Sequence, residues 1–222
     1  MDIQQNIQEI LNTLPSGVRL VAVSKFHPIE AIREAYEGGQ RIFGESKVQE
    51  LSLKHEQLPD DIEWHFIGHL QTNKVKYIVP YVSLIHGVDS YRLLCEINRQ
   101  GERVGRVIPC LLQIHVAQEE TKFGFTPDEC HAMLVNSEWR NLPYISLRGI
   151  MGMASFTDNE KQIRHEFATL HQTFNRIKQD FFATDSSFSE LSMGMSDDYP
   201  LAIEEGSTLV RVGSRIFGNR VY

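Results

Sequence analysis

Short apolar segments alternate with longer amphipathic segments along most of the chain. From residue 19 onward the repeat is about 25 to 30 residues, which is the spacing expected of consecutive strand–helix units. The longest apolar segment, 107–115, is the clearest strand in the sequence. The pattern therefore predicts an α/β protein in which each strand is followed by a helix.

Each predicted strand is a short apolar segment rich in β-branched or aromatic residues. The predicted strands are 20–24, 41–44, 64–67, 83–88, 107–115, 146–151, 190–193 and 208–212. The predicted helices show apolar residues at helical spacing, and several are bounded by Pro, Ser or Gly at the expected ends. They are 1–14, 28–36, 46–58, 72–79, 90–97, 127–134, 159–182 and a short helix that includes 202–203.

Eight strands joined by helices favour a single closed (β/α)8 TIM barrel, because parallel strand–helix–strand connections are right-handed and eight such units close a barrel. An open, doubly wound sheet is the alternative, since periodicity does not report closure. We expect one domain over residues 1–222, with an extra amphipathic helix at 1–14 preceding the barrel.

The charge balance and the cysteine content argue against several kinds of partner and site. Lys and Arg total 22 against 29 Asp and Glu, and the net charge of −7 argues against general binding to nucleic acid or to anionic membranes. Cys95, Cys110 and Cys130 are odd in number and show no CxxC spacing, so neither a disulfide framework nor a zinc site is expected. A reducing, cytoplasmic location fits this cysteine usage.

Lys25 directly follows the first predicted strand and precedes Pro28, where a helix can begin. In a barrel the loops after the strands share one mouth, so the Lys25 amine should lie beside residues that are distant in sequence. Burial there would lower the pKa of Lys25 and free the amine as a nucleophile toward an aldehyde. Lys25 is therefore the candidate site of covalent attachment.

Two later loops have the composition of a phosphate site. Gly194, Met195 and Ser196 follow strand seven and precede a short helix that Ser196 can cap, while Gly213 and Ser214 follow strand eight. Glycine permits close approach of the backbone, and each serine supplies a hydroxyl donor. Barrels often bind phosphate between strands seven and eight, although two capped turns without a ligand would look the same in sequence.

A lysine amine and a phosphate site, without a hydride-transfer motif, suggest pyridoxal phosphate as the aldehyde. A phosphosugar aldolase would use the same amine and is the competing interpretation. Arg211 lies two residues before Gly213, so strand alternation directs Arg211 into the barrel interior. Its acceptor there would be either a pyridine nitrogen or a barrel carboxylate, and the sequence leaves both open.

Two further residues are candidates for contact with the cofactor, Asn73 after strand three and His86 on strand four. His86 would either pack against the cofactor ring or simply fill the end of its strand. His65 and His69 are four residues apart, but a strand followed by a glycine does not present a helical metal pair, so no metal is expected.

Several separated segments closely resemble the pyridoxal phosphate homeostasis protein family. They are LVAVSKFHP at 20–28, FGES with VQE at 43–50, WHFIGHLQTNK at 64–74, LRGIMGM at 147–153, LSMGMSDD at 191–198 and GSTLVRVGSRIFG at 206–218. The likeness runs from about residue 18 to the end of the chain, and the segments occur in the family's order.

The resemblance implies a barrel like the N-terminal domain of alanine racemase, with pyridoxal 5'-phosphate (PLP) joined to Lys25 as a Schiff base. It places the phosphate at Ser196, Gly213 and Ser214 and the pyridine nitrogen at Arg211. The second racemase domain, which in racemases helps to form the active site, is not expected in a chain that ends at Tyr222. The resemblance therefore implies a monomeric carrier rather than an enzyme, which buffers PLP, passes it to apo-enzymes and so influences amino-acid and keto-acid balance. A weak racemase or lyase is the alternative.

The chain departs from the commonest family pattern at two positions. Ser46 stands where many members have asparagine, and His69 stands where many have proline. Neither change removes the lysine or the phosphate groups. Lys122 matches a position where the family often has lysine near the mouth, and it is either a second contact for the cofactor or a solvated loop residue.

Overall fold

The computed structural model describes residues 2–119 and 123–218. Eight parallel strands form a closed barrel in chain order, with the last strand paired to the first. The strands are β1 Arg19–Val23, β2 Ile42–Glu45, β3 Glu63–Phe66, β4 Leu84–Val88, β5 Ile108–His115, β6 Ile145–Met153, β7 Glu190–Ser192 and β8 Leu209–Val212. The predicted (β/α)8 barrel is confirmed, and the open sheet is wrong.

Helices follow the strands and cover the outside of the barrel. They are α1 Ile3–Leu11, α2 Ile29–Glu37, α3 Val48–Gln57, α4 Val75–Ile78, α5 Tyr91–Val104, α6 Pro127–Asn136, α7 Glu160–Phe181, α8 Tyr199–Glu204 and α9 Ser214–Phe217. Short 3-10 turns lie at Thr72–Lys74 and Trp139–Asn141. None of the described helices is long and apolar enough to cross a membrane.

The predicted elements are all present, and the differences lie at their ends. The first helix is shorter than 1–14, beginning after Asp2, whose carboxylate accepts from Gln5 N, and ending before Pro15. The segment 72–79 splits into a 3-10 turn followed by α4. Strand β6 is longer than predicted, and its register against β5 shifts between Cys110 and Leu111. Such end effects depend on capping contacts that hydrophobic periodicity does not encode.

Buried side chains form two regions, one inside the barrel and one between the strands and the helices. One small apolar cluster fills part of the interior and consists of Val21, Leu84, Leu111, Met151 and Leu209. A much larger apolar layer lies between the strands and the helices, where Phe43, Trp64 and Phe167 are almost fully buried. The rest of the interior carries polar side chains, which is the region that the functional site uses.

The N-terminal helix α1 packs on the barrel rather than extending from it. The backbone N of Ile3 donates to Glu34 Oε1 on α2 at 3.0 Å, and Asn6 Nδ2 donates to the carbonyl of Ile216 on α9 at 2.9 Å. The Thr13 hydroxyl lies 3.2 Å from the Tyr199 hydroxyl on α8. Helix α1 therefore contacts the short helix that follows β8, and the turn after α1 contacts the short helix that follows β7.

Candidate functional site

A cavity of about 630 Å³ opens at the carboxyl ends of the strands. Its lining includes residues from the loops after β1, β3, β6, β7 and β8. Those lining residues that the sequence analysis had selected are Lys25, Met195, Ser196, Arg211, Gly213 and Ser214. The structure thus brings the amine, the two candidate phosphate loops and the interior arginine to one place.

Lys25 is partly buried in the turn between β1 and α2, where Ser24 and Phe26 flank it. The fully buried Ser24 hydroxyl lies 2.6 Å from Glu45 Oε1, to which it donates. The backbone N of Phe26 donates to Glu50 Oε1 at 2.7 Å, and Phe26 adopts a left-handed φ of 67°. A non-glycine residue in that conformation needs support from its surroundings. The turn is therefore fixed on both sides of Lys25.

Lys54, on α3, joins these supports. Its buried ammonium donates to the Ser24 carbonyl at 2.8 Å, to Glu45 Oε1 at 2.8 Å and to Glu50 Oε1 at 2.7 Å. Burial raises the pKa of the Glu45 carboxyl, and the Lys54 ammonium opposes that rise. This cluster was not predicted from the sequence; the available signal was the Glu50–Lys54 spacing of four residues on a predicted helix.

The two phosphate-loop candidates meet directly. The backbone N of Gly213 donates to Ser196 Oγ at 3.1 Å, and a Cβ on Gly213 would come within 3.0 Å of the Val23 carbonyl oxygen. The loop after β8 therefore packs tightly against the end of β1, where a larger residue than glycine would have little room. The result is a compact group of hydroxyl and backbone donors beside the Lys25 turn.

The expectation that Ser196 caps α8 is wrong. Asp198 is the N-cap residue, and its Oδ1 accepts from the backbone N of Met195 at 2.5 Å, which closes the loop and leaves Ser196 facing Gly213.

Gly194 does not line the cavity. It has a φ of +92°, and its carbonyl accepts from Arg211 N at 2.9 Å, so Gly194 shapes the loop through its backbone.

Arg211 is buried and lines the cavity from the barrel interior. One terminal nitrogen donates to the Ser192 hydroxyl and the other donates to the Gly152 carbonyl at 2.9 Å. Within the described residues its hydrogen-bond partners are thus a hydroxyl and a carbonyl, and the barrel carboxylate considered from the sequence is not among them. Burial lowers the pKa of Arg211 to about 10, so the guanidinium keeps its charge at neutral pH.

Other candidates lie elsewhere. Asn73 is on the 3-10 turn Thr72–Lys74 and lines a separate depression with Arg92 and Cys95, so it does not join the lining of this cavity. His86 is fully buried within the barrel, bonds to His65 and Ser192, and is not among the residues that line the cavity. Lys122 and Tyr222 lie outside the described residues.

The two departures from the family pattern lie in neighbouring loops. His69 is exposed at the end of its loop, where it pairs with Asp89 at 2.9 Å and stacks on Phe123 with ring centroids 3.9 Å apart. Ser46 is partly buried, and a Cβ on Gly68 would come within 2.4 Å of its carbonyl oxygen. The loops after β2 and β3 therefore pack in direct contact.

Phe156 is a cavity residue that the sequence analysis missed. Its side chain is 90% exposed, although the loop that carries it is anchored: Ser155 N donates to Glu166 at 2.6 Å and Phe156 N donates to Glu119 at 2.9 Å. An exposed aromatic ring on a fixed loop at the cavity has no periodicity or motif that would predict it.

We predict that Lys54→Met strongly destabilises the fold, because it leaves the buried Glu45 carboxylate without its cation. The free energy of unfolding should fall by about 3 kcal/mol or more near pH 8. A carboxyl whose pKa is raised by folding costs stability once it ionises, so stability is lost as the pH rises through that raised pKa. The fall in the free energy of unfolding caused by Lys54→Met should therefore be smaller near pH 5 than near pH 8. Urea unfolding at the two pH values measures the difference.

Arg176→Met is the matched control, since Arg176 pairs with Asp128 at the surface, where both side chains are mostly exposed. Its effect should be much smaller and insensitive to pH over the same range. Equal losses in the two variants, or a Lys54→Met loss that grows on acidification, would contradict the role assigned to Lys54.

Comparison with known proteins agrees with this geometry. The family model described as alanine racemase, N-terminal domain, matches residues 1–221. A pyridoxal phosphate homeostasis protein from Aquifex aeolicus is 38% identical over 205 residues, which are 92% of this chain and 88% of that protein.

Solved structures give the same relationship. PipY from Synechococcus elongatus, solved with PLP bound, superposes with a TM-score of 0.88 at 37% identity, covering 97% of this chain and 100% of that chain. Alanine racemase from Clostridium difficile shares the fold alone, with a TM-score of 0.78 at 15% identity over 98% of this chain and 56% of its own. The chain belongs to the pyridoxal phosphate homeostasis protein family, within the wider family of alanine racemase N-terminal domains.

Proposed function

We propose that this protein binds PLP through Lys25 and acts in PLP homeostasis, as a carrier that buffers and delivers the cofactor. The observation that carries the proposal is the meeting of Lys25, the Ser196–Gly213 pair, Ser214 and Arg211 around one cavity. The PLP-bound PipY structure, at 37% identity over nearly the whole chain, supports it.

The residues present fit this cofactor. A cavity of about 630 Å³ is within the usual range for cofactor-sized ligands. The Gly213 backbone lies close to the end of β1, and its N–H donates to Ser196 Oγ at 3.1 Å, which places the Ser196 hydroxyl beside the start of the Gly213–Ser214 loop. Such a group of small donors suits an anion, and the adjacent lysine amine suits an aldehyde.

PLP supplies an aldehyde and an electron-withdrawing aromatic ring. Lys25 provides the amine for attachment, and its orientation is set by the Ser24 and Phe26 anchors. Ser196 and Ser214, with the backbone of Gly213, would hold the phosphate. Arg211 would donate to the ring nitrogen and, because a guanidinium keeps its proton, would leave that nitrogen unprotonated. An unprotonated ring nitrogen would make the ring a weaker electron sink, which favours carriage of the cofactor over turnover.

The same proposal includes the cellular context. We place the protein in the cytoplasm as a monomer that contacts PLP-dependent apo-enzymes transiently, with consequences for amino-acid and keto-acid balance. Transfer would occur through the mouth where Phe156 and Met195 are exposed.

Lys25→Ala tests the attachment site. Wild-type protein incubated with PLP should become yellow, and borohydride should then leave a stable adduct on the peptide that contains Lys25. The variant should stay colourless and give no adduct, because the amine is gone. Absorbance measures the colour, and peptide mass mapping locates the adduct.

Lys47→Ala is the matched control, since Lys47 is exposed beside the same turn with its amine 4.8 Å from the Phe26 ring centre. It should bind and trap PLP like the wild type. An undiminished adduct in Lys25→Ala would refute the assignment, and a colourless wild type that traps a sugar phosphate would favour the aldolase interpretation.

The phosphate site is tested by comparing PLP with pyridoxal, which lacks the phosphate. Wild-type protein should bind PLP much more tightly, and the Ser196→Ala/Ser214→Ala double variant should reduce that preference by about tenfold or more. Ser186→Ala, in an exposed loop, should keep the wild-type preference. A double variant that discriminates as well as the wild type would exclude these hydroxyls as phosphate ligands.

A further inference from the structure

A continuous chain of hydrogen bonds crosses the barrel interior from Arg211. The guanidinium donates to Ser192 Oγ on β7, Ser192 Oγ lies 3.0 Å from His86 Nδ1 on β4, and His86 Nε2 lies 2.9 Å from His65 Nδ1 on β3. All four residues are buried. Strands β4 and β7 are not neighbours in the barrel, so the His86–Ser192 contact spans the interior.

The groups available as donors determine which partner donates in each hydrogen bond of this chain. A guanidinium only donates, so the Ser192 oxygen is the acceptor toward Arg211. Within the described residues the other partner of the Ser192 hydroxyl is His86 Nδ1. A proton on Nδ1 would leave the Ser192 hydrogen without an acceptor in a buried site, which costs free energy. Ser192 therefore donates to an unprotonated Nδ1.

The positions of the protons on the His86 and His65 rings follow from the same reasoning. Burial lowers the pKa of His86 well below its usual value and that of His65 to about 3, so both rings are neutral. With Nδ1 unprotonated, His86 carries its proton on Nε2 and donates it to His65 Nδ1, so that His65 also carries its proton on Nε2. Every bond in the chain then has one donor and one acceptor.

We propose that Ser192, His86 and His65 are positioning residues for Arg211, forming a proton-ordered chain that holds the guanidinium toward the cavity. The Asp198 carboxylate acts on Arg211 only through its charge, since the hydrogen-bond partners of the guanidinium within the described residues are a hydroxyl and a carbonyl, so the neutral hydroxyl backed by an imidazole fixes its orientation. The Gly152 carbonyl fixes the second terminal nitrogen at 2.9 Å. The proton order rests on the hydrogen-bond geometry and on the burial of both rings, while the consequence for the cofactor rests on the proposed function.

The proton order is tested on apo-protein by nitrogen NMR with labelled histidine. Wild-type His86 and His65 should both be neutral and protonated on Nε2 at neutral pH. Ser192→Ala should shift the His86 Nδ1 resonance, because that nitrogen loses its donor. Ser207→Ala should not, although it also removes a buried hydroxyl, one that donates to the Met193 carbonyl at 2.8 Å. His86 protonated on Nδ1 in the wild type would overturn the chain.

The positioning role is tested by the dissociation constant for PLP. Ser192→Ala should weaken binding by about tenfold or more, because a hydrogen bond to a charged group is lost, while Ser207→Ala should bind like the wild type. Equal dissociation constants in the two variants would overturn the positioning role. A wild-type protein that binds no PLP would refute the proposed function instead, and the NMR experiment would still decide the proton order.

Discussion

The pairing of β8 with β1 is the constraint on which the site depends. Val21 is in register with Arg211 and Ala22 with Val212, so the end of β1 lies beside the loop that begins at Gly213. This contact places the Lys25 turn beside the Gly213 and Ser214 loop, although these residues stand near opposite ends of the sequence. A shift of one residue would turn Arg211 from the interior toward the helices and remove it from the cavity.

Two buried polar clusters then give the site its geometry. On the helix side of the wall, Lys54 ties together Ser24, Glu45 and Glu50 and so holds the Lys25 turn. Inside the barrel, Ser192 and the Gly152 carbonyl hold Arg211. Each of these hydrogen bonds resists movement, because breaking it would leave a desolvated group unpaired. These two clusters therefore hold cavity residues from distant loops in fixed positions relative to one another.

Much of this arrangement could be predicted from the sequence. Alternating apolar and amphipathic segments predict the eight strands, and the loop rule for barrels then brings Lys25, Ser196 and Gly213 to one mouth. Arg211 was directed inward by strand alternation alone. These successes share a cause, since each depends on local periodicity and on a topology that right-handed connections restrict to few choices.

The residues that were misjudged depend on contacts with no local signal. The partners of Arg211 are set by how β4 and β7 face each other across the interior, which depends on strand stagger rather than on periodicity. Ser196 was expected to cap α8, but the N-cap residue is Asp198, whose side chain accepts from Met195 N in the preceding loop. Asn73 was expected at the mouth, but a 3-10 turn places it in a different depression.

A crystal structure of the protein with PLP tests the central claim most directly. The account predicts electron density continuous with Lys25 Nζ, the phosphate between Ser196 and the Gly213–Ser214 backbone, and the ring nitrogen within hydrogen-bond distance of Arg211. Cofactor that is attached to another lysine, or that sits in this cavity with its phosphate turned away from Ser196 and Gly213, would contradict it.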